Sequence, residues 1–211
     1  MPVVSPQRAT RARLAGVIGS PVAHSLSPAI HRAAFGAAGV DWAYTAFDVP
    51  AGHAADALAA MRTLGIAGLS VTMPHKEAVA DTVDRLDPAA RALHSVNTVS
   101  WDGDELIGSS TDGSGFVSSL EESDVAVDGA AIVVLGAGAA ARSVIDALAR
   151  AGAAEISVVN RSGDRAAMAA RLADCARVGA PVDITDAGIV VNATSVGMGV
   201  DPDTASPDDL P

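Results

Sequence analysis

One lysine, Lys76, stands in a chain that carries 13 arginines. A guanidinium keeps its proton in a protein, whereas an ammonium can give one up. A lone Lys in an Arg-biased chain is therefore a candidate acid–base group, although drift accounts for the count equally well. Lys76 ends the run Gly68-Leu69-Ser70-Val71-Thr72-Met73-Pro74-His75-Lys76. Three other runs gather polar groups in the same way: Gly19-Ser20-Pro21 leading into His24-Ser25-Leu26-Ser27-Pro28, then Ser95-Val96-Asn97-Thr98, then Gly108-Ser109-Ser110-Thr111-Asp112-Gly113. All four put hydroxyl, amide, carboxylate or ammonium groups at the ends of predicted strands, where open α/β sheets bind ligands. His24 and His75 flank these runs and read as packing or hydrogen-bonding side chains.

A different chemistry is written in Gly136-Ala137-Gly138-Ala139-Ala140-Ala141, a G-x-G-x-x-A turn between a predicted strand and a predicted helix. The first Gly permits the tight turn, and the second lets backbone approach a pyrophosphate. Ala141 is small enough for the helix to lie close to the sheet. The helix start then offers N–H groups and a positive dipole end to phosphates. In an Ala-rich chain the same letters can also be a purely structural turn. An NAD site expects an acid about 20 residues on, to bond the ribose 2′-hydroxyl. Asn160-Arg161-Ser162 stands there instead, with Arg165 following. Two guanidiniums and a hydroxyl suit a 2′-phosphate, so the expected cofactor is NADP. The alternative is two solvated arginines at a helix start, where their charge opposes the dipole.

These groups need a scaffold of alternating strands and helices. Strands are predicted at 14–18, 44–49, 66–71, 96–101 and 105–108, the last two joined by the turn signal Asp102-Gly103-Asp104. Helices are predicted at 28–38, with Ser27 as N-cap, and at 54–64, 76–79 and 88–93. After a connecting helix at 113–122, a second unit follows: strand 131–135, helix 139–151, strand 155–160, helix 164–176, strand 188–191. The fold class is α/β, with a division near Asp112. Cys175 falls in the last helix and reads as a small core residue.

Composition narrows the classes. The chain has 211 residues, of which 45 are alanine, and a formal net charge of −11. So acidic a chain argues against a phosphate-backbone partner, which needs dense Lys and Arg. No run of 18 apolar residues offers a membrane span. Arg8, Arg11 and Arg13 precede an apolar run, 14–19, that is too short for a signal peptide. A single cysteine excludes an internal disulfide and fits a reducing cytoplasm. No metal is called for. Residues 181–211 hold six Asp and neither Lys nor Arg, and read as a solvated run.

The four polar runs, the Gly-rich turn and the late Asn192-Ala193-Thr194-Ser195-Val196-Gly197-Met198 follow one another as they do in the shikimate dehydrogenase family. The chain resembles that family from Gly19 to Met198. The resemblance implies an N-terminal α/β substrate-binding domain over 1–112 and a Rossmann-like NADP-binding domain over 113–211, incomplete at its C-terminus. It implies NADPH-dependent reversible reduction of 3-dehydroshikimate to shikimate, on the route to chorismate and aromatic amino acids. The chemistry would take place in the cleft between the domains. By matching positions, Ser25 and Ser27 bind the substrate carboxylate. Thr72, Asn97 and Asp112 bind ring hydroxyls, and Lys76 and Asp112 form the catalytic pair. Gly136, Ala137, Gly138, Ala139, Ala140, Asn160, Arg161, Ser162, Arg165, Thr194 and Ser195 hold NADP. A ketone accepting hydride needs a proton, and an ammonium aimed by a carboxylate can donate one. Ser27 can equally be a plain N-cap, and Asn97 a turn residue.

The sequence departs from the family at Ser70 and Ser110, where Asn is usual, at Ala139, where Gly is usual, and at Arg32, where Asn is usual. The family also continues past the point where this chain ends. The 211-residue chain is accordingly expected to be inactive or nearly so alone, while retaining weak NADP binding. The rival readings are a quinate/shikimate dehydrogenase and a non-catalytic fragment that holds NADP or shikimate. A homodimer is open, and neither nucleic acid nor membrane is an expected partner.

Overall fold

The computed structural model describes residues 13–196, so Gly197 and Met198 of the late motif, the polar N-terminal segment and most of the Asp-rich end lie outside the described residues. The chain divides into two compact units between Ser109 and Ser110, which places Asp112 in the second.

The first unit is built on β1 (Arg13–Gly19), whose run Ala15–Gly19 is buried. Two parallel strands flank it, β2 (Trp42–Asp48) and β3 (Gly68–Val71). The connections are α1 (Ser27–Ala38) and α2 (Ala54–Leu64). α3 (Lys76–Ala80), β4 (Arg85–Leu86), α4 (Pro88–Leu93), β5 (Thr98–Asp102) and β6 (Glu105–Ser109) complete a sheet of order β2-β1-β3-β5-β6-β4. β5 runs antiparallel to both β3 and β6, with Gly103 at positive φ in the predicted turn. One core gathers Ile18, Leu58, Met61, Leu69, Val71, Val99 and Leu106. Residues Ala15, Val17 and Tyr44, which alternate with the first set along their strands, pack with Phe35 of α1 in another. This alternation is the period of two expected of a strand with a layer on each face.

The second unit contains α5 (Asp112–Glu121), β7 (Ala131–Leu135), α6 (Ala139–Arg150), β8 (Glu155–Val159), α7 (Gly163–Ala170), β9 (Ala176–Val178) and β10 (Ile189–Asn192). Its strands are all parallel, in the order β10-β7-β8-β9. On α6 the residues Ala141, Val144, Ile145 and Leu148 recur at helical spacing and are buried against Ile132, Val134, Ile156 and Val158. Leu120, Phe116 and Val117 of α5 pack on the same core.

Two expectations are corrected. Ser27 is not the N-cap of α1: the helix begins at Ser27, the cap position is Leu26, and the Ser27 N–H donates to Ser25 Oγ at 3.3 Å. Helix 164–176 ends at Ala170, and Cys175 lies in a turn, half-buried against the core. There the Ile156 N–H donates to the Cys175 carbonyl at 2.9 Å, and the chain joins the sheet as β9. Pairing with β8 overrides the helical preference of this Ala-rich stretch. The start of the Asp-rich run is solvent-exposed as expected, but it is ordered: 181–186 forms a 3₁₀ turn with no buried residue.

Asp183 holds that turn. Its carboxylate accepts two bonds from Arg177, each at 3.1 Å, and the Ala180 N–H at 2.7 Å. Arg177 also donates to Glu155 at 2.6 Å, so β8, β9 and the turn share one guanidinium. The Arg177 bonds and then the Ala180 N–H hold the Asp183 carboxyl below the usual carboxylate range. A carboxyl lowered on folding adds stability above its unfolded-state value, and this is lost as pH falls through the folded one. Arg177→Ala is therefore expected to lower Tm at neutral pH. Its gap to the parent should close in acid, below the ordinary carboxylate range, as followed by thermal melts at stepped pH. A gap constant down to the most acid pH would contradict the clamp.

Candidate functional site

The second unit carries a cavity of about 520 Å³ where β7 and β10 part. From β7 the chain proceeds outward through β8 and β9, then crosses back to place β10 on the other side of β7. That reversal is the switch point at which doubly wound sheets open a crevice beyond their carboxyl ends. Gly136, Ala137 and Gly138 form one wall, and Ala193, Thr194 and Ser195 the facing one. Gly136 has φ of +109°, and a Cβ there would lie 2.9 Å from the Ala193 carbonyl oxygen. Glycine is required on both counts. A Cβ on Gly138 would meet no described atom within 4 Å, so this face of the turn stays open to a ligand. Gly138 is also the N-cap of α6 and has no side chain to occupy the first N–H groups. Ala139 and Ala140 supply that first turn, and Ala141 is fully buried beneath it.

The far wall holds Asn160, Arg161 and Arg165, both arginines being exposed. No carboxylate stands among the described residues lining the cavity. Ser162 is the N-cap of α7: its Oγ accepts the Arg165 N–H at 3.4 Å, which folds the two arginines to the same side of a helix start. Asn160 Nδ2 donates to the Ser162 carbonyl at 3.0 Å and braces the same bend. Open Gly-rich backbone, an uncapped helix start and two cations without an opposing acid fit a dinucleotide bearing an extra phosphate.

Of the late motif, sequence reasoning gave site roles only to Thr194 and Ser195; Asn192 shapes the same loop, and Ala193 and Val196 line the cavity. Asn192 Oδ1 accepts the Thr194 N–H at 3.0 Å and the Thr194 hydroxyl at 2.6 Å, and its Nδ2 donates to the Val196 carbonyl at 3.1 Å. One amide thus shapes the loop that faces Gly136. The signal was present, since an Asn ending a strand and followed by Thr commonly bonds backbone two residues on. Gly136→Ala is expected to abolish NADP⁺ binding in a calorimetric titration and to lower Tm. Positive φ and overlap with backbone each cost about 1–3 kcal/mol; a variant with the parent's affinity would remove the turn from the site.

The first unit has its own switch point, since β2 and β3 lie on opposite sides of β1. Beyond β1 come Ser20, Ser25 and Ser27; beyond β3 come Thr72 and Lys76. The two loops are tied together, with the Ser20 N–H donating to the Met73 carbonyl at 3.0 Å and the Thr72 N–H to the Ile18 carbonyl at 2.9 Å. Antiparallel β5 brings Asn97 to the same end: its carbonyl accepts the Val71 N–H at 2.7 Å and its Oδ1 the Thr98 hydroxyl at 3.0 Å. Lys76 opens α3, and its carbonyl accepts the Val96 N–H at 2.9 Å. His75 beside it is buried and donates Nε2–H to the Val49 carbonyl at 2.7 Å, a structural role. Ser25, Ser27, Thr72, Lys76 and Asn97 therefore share one end of one sheet, while Asp112 belongs to the second unit as the first residue of α5. Among the described residues no three His, Cys, Asp or Glu side chains group as metal ligands, and no helix is long and apolar enough to cross a membrane.

Two family models match in succession, the shikimate dehydrogenase substrate binding domain over residues 17–99 and shikimate / quinate 5-dehydrogenase over 119–196. The NADP(+) shikimate dehydrogenase of Symbiobacterium thermophilum is 47% identical, over 92% of this chain and 69% of its own length. The chain belongs to the shikimate dehydrogenase family. In that family the crystal structure from Thermus thermophilus, in complex with NADP(H) and shikimate, matches with a TM-score of 0.83 and 36% identity, over 94% of this chain and 73% of that one. The 5-ketofructose reductase of a Gluconobacter strain matches equally well, with a TM-score of 0.83 and 36% identity over 94% and 74%. The first family match encloses Ser25, Ser27, Thr72, Lys76 and Asn97, and the second encloses the whole dinucleotide cavity. Asp112 lies between the two.

Proposed function

We propose that this chain carries the substrate and cofactor sites of an NADPH-dependent dehydrogenase that reversibly reduces 3-dehydroshikimate to shikimate. The observation that supports it best is the two-arginine cavity without a lining acid, together with a first unit whose hydroxyl, amide and ammonium groups share one sheet end. NADPH, when bound, supplies the hydride. Ser25 and Ser27 hold the substrate carboxylate at the start of α1, where backbone N–H groups favour an anion. Thr72, Asn97 and Asp112 hold ring hydroxyls. As the carbonyl carbon gains hydride, its oxygen gains negative charge, and the Lys76 ammonium stabilises that charge and then gives the oxygen its proton. In the reverse direction the Lys76 amine takes the proton from the alcohol. Asp112 aims the ammonium. A cytoplasmic setting accompanies this reading, supported by the single cysteine.

Two neighbouring activities set the controls, because the family description includes quinate and one matched structure is a 5-ketofructose reductase. The test assays NADPH oxidation with 3-dehydroshikimate and with 5-ketofructose, and NADP⁺ reduction with shikimate and with quinate. Each assay is run on the 211-residue chain and on a version extended to its relatives' length. Preference for 3-dehydroshikimate and shikimate is expected. Preference for the uncharged ketose would contradict a site built for a carboxylate, and equal use of quinate would broaden the substrate to both acids.

A further inference from the structure

We infer that Ser143 and Gly113 are positioning residues that fix Asp112 to the helix opening the dinucleotide turn. The inference rests on the reading of Asp112 given above. The starting point is the composition of α5. Asp112-Gly113-Ser114-Gly115-Phe116-Val117-Ser118-Ser119-Leu120-Glu121 contains two Gly and three Ser, and both types favour a helix less than Ala does, Gly markedly so. Its helical form is instead held by packing on α6.

That packing is closest at Gly113, next to the acid. Gly113 is buried, and a Cβ on it would overlap the Ser143 carbonyl oxygen while lying 2.8 Å from Ala147 Cβ. Gly115, two residues on, meets no described atom within 4 Å, so only Gly113 owes its size to a neighbouring helix. Ser143 also makes the contact on the other side of the acid. It is 4% exposed, and its hydroxyl lies 3.3 Å from the hydroxyl of Ser110. A serine inside a helix commonly bonds back to a carbonyl one turn earlier, whereas this one reaches a residue outside its own helix. Residues 110 and 113, which bracket Asp112, are thus both seated on one residue of α6. Ser143 stands five residues after Gly138, about 8 Å along the helix axis at 1.5 Å per residue. The residues on either side of the acid are therefore seated on the same helix that follows the phosphate turn.

The test is a double-mutant cycle on the full chain, with Ser143→Ala, Asp112→Asn and both together. Shikimate affinity is measured in saturating NADP⁺, with NADP⁺ affinity and Tm as controls. Loss of one neutral hydrogen bond that positions a ligand group weakens shikimate binding by about fivefold. Ser143→Ala is expected to show that loss, with NADP⁺ affinity and Tm unchanged, because Ser110 is only half-buried and its hydroxyl can turn to water. With Asp112→Asn already present, Ser143→Ala should add nothing. Ser110→Ala should reproduce Ser143→Ala, whereas Gly113→Ala should lower Tm as well. Weakened binding in Asp112→Asn with none in Ser143→Ala would overturn the inference alone, as would strictly additive effects. Parent-like binding in Asp112→Asn would overturn the reading of Asp112 and the inference with it.

Discussion

Lys76→Ala is expected to lower kcat for the reduction of 3-dehydroshikimate by about 10²–10⁴-fold, the range that a positioned acid contributes. The measurement belongs in a version extended to the length of the relatives. Shikimate affinity should fall much less, because the ammonium acts chiefly on charge that develops in the transition state. The ground-state contacts remain with Ser25, Ser27, Thr72 and Asn97. Lys76→Arg sharpens the result. It keeps a positive charge at the start of α3 but places there a group that does not give up its proton. If proton donation is what Lys76 does, the Arg variant should stay close to the Ala variant. If charge alone matters, much of the rate should return. A Lys76→Ala variant with the parent's kcat would remove Lys76 from the chemistry.

Replacing Arg161 and Arg165 together by Ala should raise the KM for NADPH by about a hundredfold while leaving that for NADH nearly unchanged. Hydrogen bonds to charged groups contribute about 1.5–3 kcal/mol each. Both arginines are exposed at the cavity mouth, so solvent screening places the pair toward the lower end of that range. NADH lacks the 2′-phosphate and has nothing to lose there. The ratio of the two kcat/KM values is the readout, since it cancels any general effect on the fold. Equal losses with both cofactors would mean that the arginines support α7 rather than read the phosphate.

The helices and strands that carry the site were legible where local pattern and packing agree. Residues 54–64 read as a helix and form one, because Leu58 and Met61 recur at helical spacing and Gly65 ends the run in the left-handed region. The Gly-rich turn was legible because its glycines answer to separate demands, positive φ and close backbone at 136, open approach at 138. β4 and β9 were not, since two or three residues carry no periodicity and become strands only through a partner. The start of α1 was misjudged by one residue, because Ser27 suits a cap by type and only the backbone path decides where the helix opens. The pairing of Asp183 with Arg177 was not legible, because it depends on a strand, β9, that the composition hides. Ser110 and Ser143 lie 33 positions apart, and nothing local in the sequence announces that they meet.

The most direct test of the account follows the hydride itself. NADPH carrying deuterium at the transferable position of its nicotinamide is incubated with 3-dehydroshikimate and the protein extended to its relatives' length, and the product is analysed by mass spectrometry and NMR. The expected result is shikimate with one deuterium on the carbon that was the ketone and an oxygen-bound proton from solvent, formed far more slowly by Lys76→Ala. Consumption of labelled NADPH without label at that carbon, or no consumption by a protein that binds both NADP⁺ and shikimate, would contradict it.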